Sequence, residues 1–127
     1  IYEVDLPSFS DWEDLFQTDP GNDPVRLSVN SSANDKCPFA NGRLLVFASD
    51  RAGGYGGYDL YYSVRDEKGW SVPKNFGGKI NTEYDEYRPI IIRLHDFKNN
   101  LMIFSSDRPG GMGGFDLYYV GIGQGVE

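Results

Sequence analysis

The sequence predicts an all-β protein made of consecutive four-stranded antiparallel sheets. Three observations carry that expectation. First, residues 47–62 read FASDRAGGYGGYDLYY and residues 104–119 read FSSDRPGGMGGFDLYY, identical at twelve of sixteen positions at an offset of 57. A repeat of this period marks a solenoid, an array or a propeller, because one unit cannot bury its own apolar face. Second, sixteen glycines and nine tyrosines in 127 residues suit Gly-rich turns between short aromatic strands. Third, the apolar runs are short, as in Leu44-Leu45-Val46-Phe47 and Leu101-Met102-Ile103-Phe104, which fits central strands covered on both faces.

The elements follow in order. The repeat extends upstream: residues 27–38 align with residues 78–89 at an offset of 51, matching Val29-Asn30 to Ile80-Asn81 and Pro38 to Pro89. The offset grows to 57 before Phe47, so the second copy carries six extra residues around 93–100, read as a longer hairpin loop. Strand one of each unit is expected at 38–40 and 88–94, strand two at 43–49 and 100–106, and strand three at 59–64 and 116–120. Strand four is expected at 25–29 and 70–76. Pro73 lies inside the latter and lacks a ladder donor, which places that strand on a sheet edge. Residues 1–6 align with 60–65, so the chain enters in strand three of one unit. The expected division is the end of one unit at 1–29, a full unit at 30–78 and most of the next at 79–127. Within the first, residues 7–23 form an acidic insertion in which Ser10-Asp11-Trp12-Glu13 has capping-box spacing for one helical turn over 11–16.

Charge and composition bound the function. The formal net charge is −7. Residues 1–25 hold seven acids and no Lys or Arg, while the rest of the chain balances twelve acids with twelve bases. Nucleic acid is disfavoured as a partner, since phosphate binding needs a basic patch. A basic protein surface suits the acidic segment, and so does plain solvation of a loop. Cys37 and His95 each stand alone, which removes an intrachain disulfide, most zinc sites and the common His-based triads. No apolar run approaches the length of a membrane-spanning helix. No signal peptide is visible and the chain starts at Ile1, as expected of a mature form or a piece of a longer chain.

The wording Phe-x-Ser-Asp-Arg-x-Gly-Gly-x-Gly-Gly-[Tyr/Phe]-Asp-Leu-Tyr resembles the TolB-type, WD-repeat-like β-propeller blade. So does Gly69-Trp70-Ser71-Val72-Pro73-Lys74-Asn75-Phe76-Gly77, followed by Ile80-Asn81-Thr82 and Asp85-Glu86. The resemblance covers residues 24–120 and is closest to propeller modules of bacterial cell-envelope proteins, often fused to a peptidoglycan-binding OmpA-like domain. It implies propeller blades in an incomplete ring, about two plus part of another, with a periplasmic or outer-membrane-associated location and a protein-binding, non-enzymatic role. Two departures stand out: there is no OmpA-like segment, and two and a quarter units fall short of the 4–8 blades of a closed ring. A longer chain, a ring assembled from several copies and a short open array each account for the shortfall.

The candidate sites fall within this frame. Asp50, Arg51, Asp85, Glu86, Asp107 and Arg108 are expected on one polar loop face. They read either as a Ca²⁺ or small-ligand rim or as turn anchors, each Asp accepting backbone N–H bonds and pairing with a neighbouring Arg. Recurrence in each unit favours anchoring. Gly53–Gly57 and Gly110–Gly114 lack the Gly-Lys-[Ser/Thr] and helix of a phosphate loop; they read as tight loops whose tips, Tyr55 and Met112, are candidate partner contacts. Trp12 and Phe16, in the non-repeated insertion, are further partner candidates, or else caps on the first unit's flank. No cofactor is expected. Asp85 and Glu86 are adjacent and point apart, which argues against paired acid–base chemistry. The remaining reading is the accessory propeller of a hydrolase whose catalytic domain lies elsewhere.

Overall fold

A computed structural model of the chain describes residues 1–6, 13, 17 and 21–123. Of the helical turn expected over 11–16 only Glu13 is described, and Trp12 and Phe16 lie outside the described residues. The fold is all-β and every strand pairing is antiparallel.

Three sheets follow one another along the chain. The first joins β1 (Tyr2–Glu3) to β2 (Val25–Arg26). The middle sheet is a meander of β3 (Asp35–Asn41), β4 (Leu44–Ser49) and β5 (Asp59–Asp66). Two short strands, β6 (Gly69–Trp70) and β7 (Lys74–Asn75), share the outer edge of β5. Pro73 falls between them, so the expected fourth strand is an edge strand broken in two where its donor is missing. The third sheet orders β8 (Glu86–Ile92), β9 (Asn99–Ser106) and β10 (Asp116–Gly123) as β10-β9-β8. The extra residues of the second copy form the β8–β9 turn.

Strand one begins earlier than the sequence suggests, at Asp35 and at Glu86. Both strands then break register at equivalent places, between Lys36 and Phe39 and between Tyr87 and Ile90. Cys37 and Arg88 sit there at φ of 51° and 50°, each followed by a proline. A bulge leaves the extra residues outside the ladder, so Pro38 and Pro89 forfeit no ladder bond. The bulge separates the acid at the start of each strand from its apolar half, and apolar periodicity alone locates only the second part.

The middle sheet is buried on both faces. Leu45, Phe47 and Tyr61 pack with Val29, Ile1 and Leu27 on the side of the first sheet. Leu44, Val46, Ala48, Leu60 and Tyr62 pack with Ile91, Met102, Phe104 and Ile122 of the third sheet. Alternate side chains of one strand thus serve two interfaces, as period-2 geometry requires. In the third sheet the residues equivalent to the second set lie open: Leu117 is 78% exposed where Leu60 is 0%, and Tyr119 is 80% exposed where Tyr62 is 5%.

Phe47→Ala should lower the unfolding free energy by about 3–5 kcal/mol, through a cavity between sheets. Leu117→Ala, at the open face, should change it by about 0.5 kcal/mol or less. Urea titration of both variants measures the contrast.

Candidate functional site

The loops after strand two and the links between units converge at one end of the sheets, and an arginine organises each convergence. In the middle sheet Arg51 Nε donates to Ser49 Oγ (3.0 Å). Its Nη2 donates to the Val29 carbonyl (3.0 Å) and to Asp35 Oδ1 (2.5 Å). In the third sheet Arg108 Nε donates to Ser106 Oγ (3.1 Å), and its Nη2 to the Ile80 carbonyl (2.7 Å) and Glu86 Oε1 (2.9 Å). Each guanidinium also lies against a cross-strand aromatic pair. Arg51 sits 5.1 Å from the Phe47 ring and 4.9 Å from Tyr61; Arg108 sits 5.4 Å from Phe104 and 4.7 Å from Tyr118. The planar, multi-donor guanidinium suits this double duty, and an ammonium does not.

The carboxylates are equally committed. The Ser31 N–H and hydroxyl donate to Asp35 Oδ2 (2.6 and 2.9 Å), and Ser49 Oγ donates to its Oδ1 (2.7 Å). Glu86, whose side chain is fully buried, accepts from the Thr82 N–H (2.8 Å), the Thr82 hydroxyl (2.6 Å) and Ser106 Oγ (3.0 Å). Burial by itself would push the Asp35 carboxyl up. The Ser31 N–H and the Arg51, Ser49 and Ser31 side chains outweigh it and hold the group below its usual value of 3.8.

Asp50 and Asp107 have a different task. Asp50 accepts from the Asn34 N–H and side-chain amide (both 2.7 Å), and these bonds hold its carboxyl below the usual range, the amide contributing most. Asp107 Oδ1 accepts from the Asp85 N–H (2.9 Å), and Asp85 Oδ1 accepts from the Tyr58 N–H (2.7 Å). Sequence reasoning expected each Asp to pair with its neighbouring Arg. The ion pairs instead join Arg51 to Asp35 and Arg108 to Glu86. Asp35 escaped notice because its partner lies 16 residues away; its alignment with Glu86 across the repeat was the signal that could have found it.

The expected polar face therefore divides into two equivalent stations. Asp50 and Arg51 stand at one, and Asp85, Glu86, Asp107 and Arg108 at the other. Among the described residues no group of three or more His, Cys, Asp or Glu side chains is arranged to hold a metal ion. The glycine loops are positioned by the next aspartate: Asp59 accepts from the N–H groups of Tyr55 (2.6 Å) and Gly56 (3.1 Å), and Asp116 from that of Met112 (2.8 Å). Gly56 is required by close approach, since a Cβ there would meet the Tyr84 and Thr82 carbonyls at 2.2 and 2.5 Å. Tyr55 lies over Gly78, half exposed, whereas Met112 is 98% exposed.

A hollow of about 520 Å³ opens beside the third sheet, lined by Tyr58, Tyr87, Phe115, Leu117, Asp85 and Arg88. Tyr58 and Tyr87 meet edge to face across the two sheets at 5.0 Å, and Phe115 is the repeat equivalent of Tyr58. The hollow thus continues the open face of Leu117 and Tyr119. Among the described residues no helix is long and apolar enough to cross a membrane. Comparison with family models, curated proteins and solved structures gives no significant match.

Arg51→Met and Arg108→Met should each destabilise the fold by about 3–5 kcal/mol, because a buried carboxylate loses its counter-charge. Arg65→Met, which breaks the exposed pair with Glu3 (2.6 Å), should cost about 1 kcal/mol or less in the same denaturation series. The Asp35 network adds a pH signature. Its folded-state pKa is depressed, so its contribution is fully present above about 3.8 and disappears as pH falls through the lower folded value. Melting temperature against pH should show this acid limb, and Asp35→Asn should remove its share of it.

Proposed function

We propose that the chain is a non-catalytic interaction and scaffold module, a run of TolB-like β-propeller blades from a bacterial cell-envelope protein. The observation that carries the reading is the reuse of one interface. The third sheet sits on the middle sheet with the residue positions that the middle sheet uses toward the first: Met102, Phe104 and Tyr118 stand where Leu45, Phe47 and Tyr61 do. Successive sheets packed face to face by a repeated contact suit blades, and the motif resemblance supplies the envelope location.

The commitment of the charged groups supports display over chemistry. Asp35, Asp50, Asp59, Asp85, Glu86 and Asp107 all accept hydrogen bonds from the chain's own donors. Asp35, Asp50, Asp59 and Glu86 accept through both oxygens and Asp85 and Asp107 through one each, and this occupation by internal donors disfavours the cation-rim reading. What the frame leaves outward is a set of side chains on rigid loops, Tyr55 foremost. The mechanism is preorganisation: the tips are held before the partner arrives, so little ordering entropy is lost on association.

A photo-crosslinking residue at position 55 should capture a discrete protein from a bacterial envelope extract. The same residue at Val72, exposed on the sheet edge, should not. Equal labelling from both positions, or none from position 55, would remove the loop tip from the interaction surface.

A further inference from the structure

At the end of the sheets opposite the arginine stations, the middle and third sheets part around a hollow of about 300 Å³. Both of its walls belong to the chain itself. The β3–β4 hairpin supplies Asn41, Arg43 and Leu44, and β5 supplies Val64. The third sheet supplies Arg93 and Asn100. Asn41 Nδ2 donates to the Ile91 carbonyl (3.2 Å), a bond that ties the two sheets together beside the hollow. Arg43 Nε donates to the Arg65 carbonyl (2.6 Å), which orients the guanidinium through one nitrogen and leaves its two terminal nitrogens over. Leu44 is buried and Val64 half-buried, so the floor is apolar.

Three features mark this hollow as a place for a ligand. The first is charge. The chain carries a formal −7, yet no Asp or Glu lines the hollow, and among the described residues neither Arg43 nor Arg93 has an ion-pair partner. Asp66 and Glu67 line a separate hollow in the company of Arg65 and Lys68. The second is Asn100, which is 8% exposed and whose Oδ1 meets no donor. A buried acceptor without a partner is costly, and a ligand N–H that reaches it recovers the loss. A half-turn about χ2 exchanges the oxygen and nitrogen of the amide, so this side chain can turn its acceptor to the hollow. The third is that the set does not recur. Arg43 aligns with Asn100 in the next copy, and Arg93 lies in the longer β8–β9 connection that the first copy lacks. The stations at Arg51 and Arg108 repeat because they hold the fold, and this one does not repeat.

We propose that the hollow binds the carboxylate end of an N-acylated amino acid, as found at the C-terminus of a peptide. The carboxylate lies between Arg43 and Arg93, whose planar forks match its two oxygens. The adjacent amide N–H donates to the Asn100 acceptor. A small apolar side chain rests on Leu44 and Val64. A free amino acid fits less well, because its ammonium would face two guanidinium groups. The volume stands at the lower end of small-ligand sites and suits one residue with its acyl group. Capture of a C-terminal carboxylate is a recurring mode of peptide recognition. The site lies at the other end of the sheets from the loop tips and does not rest on the module reading.

The test titrates N-acetylalanine into the isotope-labelled chain and follows its backbone and side-chain amide signals. The expected result is saturable shifts at Gly42, Val64 and the Asn100 side-chain amide. N-acetylalaninamide, which lacks the charge, and alanine, which carries an ammonium, should each bind about tenfold more weakly. Arg93→Gln should weaken N-acetylalanine about tenfold as well. Its urea midpoint should stay that of the parent chain, because the Arg93 side chain makes no hydrogen bond or ion pair among the described residues. The proposal is overturned by silence at those signals at high millimolar ligand, by equal binding of the uncharged amide, or by full affinity in Arg93→Gln. Acetate that moves the same signals with the affinity of N-acetylalanine would reveal an anion site with no amide contact, and overturns it too.

Discussion

The fold depends on one side chain per unit, an arginine two residues beyond the end of strand two that is held from four directions. Arg51 touches the acid that begins strand one, the serine that closes strand two, a carbonyl in the link from the previous unit, and an aromatic pair on strands two and three. Each contact alone is ordinary. Together they fix where the unit begins relative to where its central hairpin turns. A partly desolvated cation beside a buried carboxylate tolerates little displacement, because either charge left unpaired in that setting is expensive. Arg108 repeats the arrangement with glutamate in place of aspartate. The longer carboxylate is accommodated by Thr82 where the shorter one meets Ser31.

Fixing the ends of the strands fixes which side chains face which neighbour. With period 2, Phe47 and Tyr61 point toward the preceding sheet, and Leu60 and Tyr62 toward the following one. A sheet between two neighbours is then apolar on both faces, and that is the state of the middle sheet. Among the described residues, the third sheet carries the same alternation with only one face covered. Its open residues are the positions that the repeat reserves for the next contact, which separates them from incidental surface aromatics.

The same economy bears on chemistry. Carboxylates near a loop-rich end of a repeat protein invite a catalytic or metal reading. Here they are acceptors for the chain's own N–H and O–H groups, at one station per unit. The surface left for recognition consists of loop tips and strand edges, and the contacts there differ from unit to unit: Tyr55 lies on the backbone at Gly78 while Met112 stands free.

Much of this was legible in the sequence, and the reason is locality. The 57-residue offset, the apolar runs at 44–47 and 101–104, and Pro73 at an edge are statements about neighbours along the chain, and the strands formed accordingly. The early start of strand one, the bulges at Cys37 and Arg88 and the choice of Asp35 and Glu86 as ion-pair partners were not legible. They are settled by groups 14 to 22 residues apart that meet only when strands one and two pair. Trp12 and Phe16, read as partner contacts, lie outside the described residues. By itself the sequence determined that the chain is a repeat of antiparallel strands, because periodicity and turn chemistry are local. Only the tertiary structure decided which acid neutralises which arginine, and which copy of an identical face is buried and which stays open, because each depends on what lies across the sheet.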